Sequence, residues 1–348
     1  LQRPKDAEPT FFIGTVPIYG DLILAPMAGY SDVPFRLLCR EMGSALSYTP
    51  CIPDDALAAK GHHHDRLLDF REEERPVAIQ LLAKEEGRLI RAAEKALQRR
   101  PDILDLNLGC PAHRVAGGGR GAALLCNPPL IGRLVSALVQ SAGVPITAKI
   151  RLGWDENTRN YRDVARILEE SGISAIAVHG RTRSQAFRGK ADWEAIAEVK
   201  TSVRVPVFAN GDVRTPEDIV AIQRVTGCDA VMIGRGAIGN PWIFQRRSLD
   251  EVPFEERLAV MERHLQMMVA YYGVRLGVIL FRKYVVHYVR GLEGASALRP
   301  RLVAAPSADQ VLEILRGWRE SERSTDDGRG TSACSTGAED DRELYPAP

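Results

Sequence analysis

The chain has 348 residues, 45% hydrophobic and 26% charged, enough for one large domain and a small one. Its formal net charge of +1 excludes a uniformly basic nucleic-acid binder and leaves room only for a local basic face. No apolar run reaches the roughly 20 residues that cross a bilayer, and the opening LQRPKDAEPTFF lacks the apolar core of a secretory signal, so a cytoplasmic protein is expected.

In chain order, residues 1–14 read as an extension, and DLILAPMAG (21–29) is the first strand. ALSYTP (45–50) is the second and PVAIQLLA (76–83) the third. Between them, His62-His63-His64 has the look of a metal tract, but three consecutive side chains cannot turn to one site, so an exposed loop is expected. EEGRLIRAAEKALQRR (85–100) has helical periodicity. ILDLNLGCP (103–111) is the fourth strand; it turns at Gly109-Cys110-Pro111 and passes through Gly117-Gly118-Gly119-Arg120-Gly121 into a helix. PITAKIRLG (145–153), AIAVHGRT (175–182), PVFANGDV (206–213) and AVMIGRGAI (230–238) complete eight strands. Helical segments separate them: YRDVARILEESG (161–172), then TPEDIVAIQRVTG (215–227), which has Thr215 at its N-cap and Pro216 at its first helical position.

Apolar strands alternating with helices mean a parallel sheet covered by helices. Eight such units fit a (β/α)8 TIM barrel better than an open sheet, and no GxGxxG turn follows the first strand. From about Val252 the pattern becomes all-helical, in FEERLAVMERHLQMMVAYYG, VILFRKYVVHYVRGL and SADQVLEILRGWRE. After Glu322 large apolar residues almost vanish, as in a disordered tail. The predicted fold is α/β: an extension (1–14), a TIM barrel (15–250), a small helical domain (251–322) and a tail (323–348).

Active sites of such barrels lie at the carboxyl ends of the strands. Cys110 stands there, its backbone fixed by glycine and proline. Polar and glycine residues gather at the other strand ends: Pro26-Met27-Ala28-Gly29, Gln80, Asn107, Lys149 and Arg151, His179 and Arg181, Asn210-Gly211-Asp212, and Gly234-Arg235-Gly236. The last two clusters offer backbone N–H groups and an arginine where barrels bind phosphate. Lys149 and His179 would line the middle, and a planar cofactor with a phosphate tail, flavin mononucleotide (FMN), fits the whole set. The six cysteines form no CxxC pair, so free thiols and no structural zinc are expected.

LAPMAGYSDVPFR, NLGCPAHRVAGGGRGAALL, AVHGRT…GKADW, FANGDV and IGRGAIGNPWIF together resemble the tRNA-dihydrouridine synthase family of the bacterial type, over residues 15 to 320. The resemblance implies that the backbone of Pro26, Met27 and Ala28 and the side chain of Gln80 contact the flavin ring, and that Lys149 and His179 bind its ring or ribityl side. It further implies that Asn210, Gly211, Asp212, Gly234 and Arg235 hold the phosphate and that Cys110 donates a proton. Asn107 and Arg181, with Arg282 and Lys283 of the helical domain, are the candidate tRNA contacts; Tyr284 and Tyr288 either stack bases or pack. Where the family usually has YTEM, this chain has Tyr48-Thr49-Pro50-Cys51, which makes Cys51 a rival to Cys110.

The implied reaction reduces a tRNA uridine to 5,6-dihydrouridine. NADPH or NADH reduces FMN, hydride passes to carbon 6, and Cys110 protonates carbon 5, with Lys149 and Arg181 facing the enolate oxygen. The target base must leave its stack. A monomer with no bound metal is expected. Two alternatives stay open: an FMN-dependent oxidoreductase of a small molecule (dihydroorotate or enone type), and a non-catalytic tRNA-binding barrel.

Overall fold

The computed structural model describes residues 8–58 and 66–326. The chain divides into two compact units after Glu251. His62-His63-His64, and the predicted tail from residue 327 onward, lie outside the described residues, whereas residues 323–326 continue the last helix.

The first unit is the expected barrel, and each of the eight apolar runs supplies one of its strands. They are β3 (Leu22–Leu24), β4 (Ser47–Tyr48), β6 (Val77–Leu82), β7 (Ile103–Leu108), β8 (Ile146–Arg151), β9 (Ala175–His179), β10 (Val207–Asn210) and β11 (Ala230–Ile233). They pair in parallel in the order β3-β11-β10-β9-β8-β7-β6-β4. The ends of this run meet where Ala45 N donates to Leu22 O at 2.7 Å and Leu24 N to Ser44 Oγ at 3.0 Å. A short strand, β5 (Ile52–Pro53), also pairs with β6.

The segments between strands form helices for local reasons. Over Glu86–Leu97, Leu89, Ala92, Ala93 and Ala96 recur at helical spacing and are buried. Pro128–Ala142 starts on an Asn127 cap with proline next and ends on left-handed Gly143 (φ 68°). Pro216–Thr226 starts on a Thr215 capping box with Asp218 and ends on Gly227 (φ 60°). The segment after Cys110 departs from expectation. A single turn, His113–Ala116, precedes the glycine loop, and a 3₁₀ stretch, Gly121–Cys126, follows it, so the long helix begins only at Pro128.

Residues 11–18 hold a hairpin of β1 (Phe11–Ile13) and β2 (Val16–Ile18). Its Ile13 and Ile18 join the barrel interior, packing with Ile103, Ala175 and Ala230 at the starts of their strands. The Phe11 and Phe208 rings lie 5.6 Å apart. The hairpin therefore fills the amino-terminal end of the barrel with apolar surface, and polar residues are left to the opposite end.

The second unit contains helices Phe254–Tyr272, Val274–Tyr288, Ala295–Ala304 and Ala308–Asp326. The third is not evident in the sequence, because Pro300 lies inside it and its apolar residues form no stripe. Within this unit Phe254 and Trp318 pack edge to face at 4.8 Å, and His264 Nδ1 lies 3.0 Å from Tyr288 Oη.

Candidate active site

Alternation along the strands builds the site. Ala78, Ile103, Ala177 and Phe208 point into the barrel interior. Two residues further along each strand, on the same face, come Gln80, Asp105, His179 and Asn210. The register sets neighbours side by side: Gln80 beside Asp105, Asn107 beside Lys149, and Arg151, His179 and Asn210 in one row. Except for Lys149, which is half-buried, all of these are buried.

The Cys110 turn hangs on Asn107. Asn107 Oδ1 accepts from Gly109 N (3.2 Å) and Cys110 N (2.9 Å), while Asn107 Nδ2 donates to Gln80 Oε1 (2.8 Å). Gly109 O accepts from Arg151 Nε at 2.8 Å. A side chain on Gly121 (φ 59°) would press against the Cys110 Cβ and carbonyl oxygen, each 3.0 Å from its Cβ position, so that glycine is required by close approach. Cys110 itself is half-buried.

Cys51 lies near enough to Cys110 for their charges to interact. Burial first, then Cys110, pushes the Cys51 thiol up to about 12. A thiol held that far above its ordinary value releases its proton poorly to a developing carbanion.

Across the mouth, Lys149 Nζ donates to Asn210 Oδ1 at 2.9 Å, and Asn210 Nδ2 to Met232 O at 2.7 Å. Burial, then Arg151, draws Lys149 down to about 7. His179 is held well below its ordinary value by burial and by Arg151, Lys149, Arg181 and Arg235 around it. Four cations about one neutral imidazole make a site short of negative charge, as an anionic ligand requires.

Asp212 offsets part of that charge from a left-handed backbone (φ 58°). Its carboxylate accepts from Arg181 Nη2 (2.7 and 2.8 Å) and from Ala191 N (2.6 Å), with Arg235 3.8 Å away. That carboxylate would repel a phosphate, so of Asn210-Gly211-Asp212 the backbone is the part suited to the predicted phosphate. Gly211 (φ 127°) is required there: a Cβ would lie 2.7 Å from Ala191 Cβ and 3.0 Å from His179 Cδ2. Gly236 is tighter still, with a Cβ 2.3 Å from Val213 O. Gly234 precedes the one-turn Arg235–Ala237, and the Arg235 guanidinium lies 5.0 Å from the Phe187 ring centroid.

After β3, Met27 N donates to Ser31 Oγ (2.8 Å), and Met27 O accepts from Ser31 N and Tyr30 N. Pro26 and Met27 are half-buried and Ala28 is exposed on this loop.

The structure gathers the predicted barrel residues at one mouth, Arg181 among them. That arginine is buried, bound to Asp212, and donates to the carbonyls of Arg188 and Gly189, so it holds the 183–192 loop. In the helical unit Tyr284 and Tyr288 are fully buried, which corrects the base-stacking alternative: both rings pack beside His264. Arg282 Nη2 donates to Ala305 O (2.9 Å), ending a helix, and Lys283 Nζ lies 4.9 Å from the Tyr284 ring. Sequence reasoning left Asp105 and Thr147 unassigned, although both lie on the inward side, two residues before Asn107 and Lys149. Among the described residues no group of three or more His, Cys, Asp or Glu side chains is placed to hold a metal ion, and no helix is long and apolar enough to cross a membrane.

The family model for dihydrouridine synthases (Dus) matches residues 23–320. The tRNA-dihydrouridine synthase B of Pseudomonas aeruginosa is 38% identical over 312 residues, covering 87% of this chain and 94% of that protein. Its namesake in Xanthomonas axonopodis pv. citri is 37% identical over 314 residues, 88% and 95% of the two chains. That of Vibrio cholerae is 35% identical over 314 residues, 88% and 98%. Among solved structures, 2-naphthoyl-CoA reductase aligns with a TM-score of 0.55 at 11% identity, over 68% of this chain and 51% of that one, a likeness of fold alone.

Proposed function

The chain belongs to the dihydrouridine synthase family, and from that premise we propose that it reduces a uridine of tRNA to 5,6-dihydrouridine with FMN as bound cofactor and NADPH or NADH as reductant. The observation that carries the reading is the placement of Cys110. Asn107 holds it on a turn at the strand ends, beside a mouth rich in buried cations.

The residues present suit FMN by the chemistry of their donors. Arg235 and the backbone of Asn210, Gly211, Asp212 and Gly234 would hold its anionic tail, Lys149 and His179 its ring or ribityl side, and Gln80 with the Pro26–Ala28 backbone its ring. When bound and reduced, the flavin supplies hydride to uracil carbon 6. Lys149 faces the negative charge that then develops on the uracil oxygen. Cys110 delivers its Sγ proton to carbon 5, and a thiol is a usable general acid at neutral pH. Arg181 acts from behind, fixing Asp212 and the 183–192 loop. The helical unit would carry the rest of the tRNA, in the cytoplasm where that substrate is found, with the protein acting as a monomer.

The test is anaerobic. The purified protein should bind FMN and lose the visible flavin band on addition of NADPH. It should regain that band on addition of tRNA lacking dihydrouridine. Recovery with small enones but not with tRNA would overturn the substrate, and failure to bind flavin would overturn the chemistry.

A further inference from the structure

We propose that Asp105 is the positioning residue of this site: from beneath the mouth, its carboxylate fixes the orientation of the Gln80 amide and, through Asn107, the turn that carries Cys110. The inference rests on the reading of Cys110 as the proton donor.

Four hydrogen bonds run in one direction. Gln80 Nε2 donates to Asp105 Oδ2 at 2.7 Å. Asn107 Nδ2 donates to Gln80 Oε1 at 2.8 Å. Gly109 N and Cys110 N donate to Asn107 Oδ1 at 3.2 and 2.9 Å. An amide can turn over and exchange its oxygen for its NH2, and only its partners decide which way it lies. An ionised carboxylate accepts and never donates, so Asp105 admits one orientation of Gln80. Gln80 then admits one orientation of Asn107, the one whose oxygen faces the turn. With the chain reversed, the Asn107 NH2 would face two backbone N–H groups, and no hydrogen bond would form there.

Asp105 is itself held. Thr147 Oγ1 donates to its other oxygen at 2.5 Å, and Lys149 on the same strand stabilises its charge. The residue is buried between β6 and β8, too deep to meet a tRNA base. Its effect on chemistry therefore passes through Gln80. Thr147 and Gln80 bond its two oxygens, one each.

The experiment follows Cys110 directly. Iodoacetamide alkylation of the folded protein is timed by mass spectrometry of the Cys110 peptide, with exposed Cys126 as internal reference. Asp105→Leu keeps the branched side-chain skeleton, with bulkier methyls in place of the oxygens, and removes the acceptor. It should free the turn and speed Cys110 alkylation by about tenfold, the scale of one charge-assisted hydrogen bond. On tRNA, kcat should fall by a similar factor while KM stays within about twofold. Asp105→Asn, whose amide can present either its oxygen or its NH2 to Gln80, should recover both only in part and fall between the parent and Asp105→Leu. Gln80→Met cuts the chain one link further on and should also speed alkylation. The Asp105→Leu/Gln80→Met double variant should then be no faster than either single one. Unchanged alkylation in folded Asp105→Leu, or multiplying effects in the double variant, overturns the proposal. If Asp105→Leu does not fold, Gln80→Met decides: faster alkylation supports the chain and an unchanged rate overturns it. Alkylation needs neither tRNA nor reductant, so a protein that leaves uridine untouched refutes the functional reading while the positioning chain is still decided.

Discussion

Two cysteines near one mouth make a sharp test at the scale of single residues. Cys110 has its backbone fixed by Asn107 and its side chain half-buried at the strand ends. The Cys51 thiol is pushed up to about 12, chiefly by burial. Cys110→Ala should keep bound flavin and its reduction by NADPH while tRNA turnover falls by about 10² or more, the usual worth of a general acid. Cys51→Ala should turn over within a few-fold of the parent, and the reverse ranking in a single-turnover assay would exchange their roles. Lys149 gives a second test. Burial and Arg151 bring it down to about 7, so its ammonium is lost as pH rises through neutrality. An anionic ligand binds the protonated form, so FMN affinity should weaken from pH 7 to 8.5, by up to about tenfold per unit. Lys149→Met should bind more weakly and lose that slope, as followed by flavin fluorescence. A parent protein with a flat profile would place Lys149 away from the ligand.

Turns and strands, rather than single side chains, decide whether the mouth exists at all. In the turn after β11, a Cβ on Gly236 would sit 2.3 Å from Val213 O and 3.1 Å from Arg214 Cα. Both obstacles are backbone and cannot swing aside. Gly236→Ala should cost about 2–3 kcal/mol in thermal or denaturant unfolding and weaken flavin binding. A variant with parental stability would show that the loop after β10 moves freely. This part of the molecule was legible in the sequence because its signals are local. Apolar runs of strand length, the TPED cap and glycines at strand ends each declare themselves within a few residues. The β1–β2 hairpin was not legible, because what orders it is the barrel interior it fills, formed by residues far along the chain. The helix around Pro300 was missed for a related reason: its buried Ala295, Leu298 and Leu302 find partners only in the folded unit. Asp105 carried a signal that was available, since alternation places it on the inward face with Asn107. Its partners Gln80 and Thr147, however, come from the two neighbouring strands, and register is not written in any one strand.

At the scale of the whole molecule, the two units should respond differently to acid. In the helical unit His264 is buried beside Tyr284, Tyr288 and Lys283, and burial first, then Lys283, draws it down to about 3. The unfolded chain protonates this histidine near 6.5 and the folded one does not. Its contribution is therefore whole above pH 6.5 and falls as pH drops, by about 1.4 kcal/mol per unit, until both states are protonated near 3. In the barrel unit Asp105 has the opposite sign. Burial raises it to about 6 against the bonds from Thr147 and Gln80 and the charge of Lys149, with Tyr48 also facing it. Between about 4 and 6 the folded state holds a proton that the unfolded state has lost, so this group favours the folded barrel as pH falls. Glu74, raised by burial, acts in the same direction, and His179, lowered, acts against them. The barrel's contributions partly cancel, while His264 works against the folded helical unit as pH falls. Lowering pH from 6.5 to 4.5 should thus open the helical unit first, seen as earlier loss of amide-exchange protection over 254–288 than over β6–β9. His264→Gln cannot charge, so whatever it does to stability at neutral pH, it should flatten the acid slope of that unit. An unchanged slope in His264→Gln, or earlier opening of the barrel strands, would show that some other group governs the acid response.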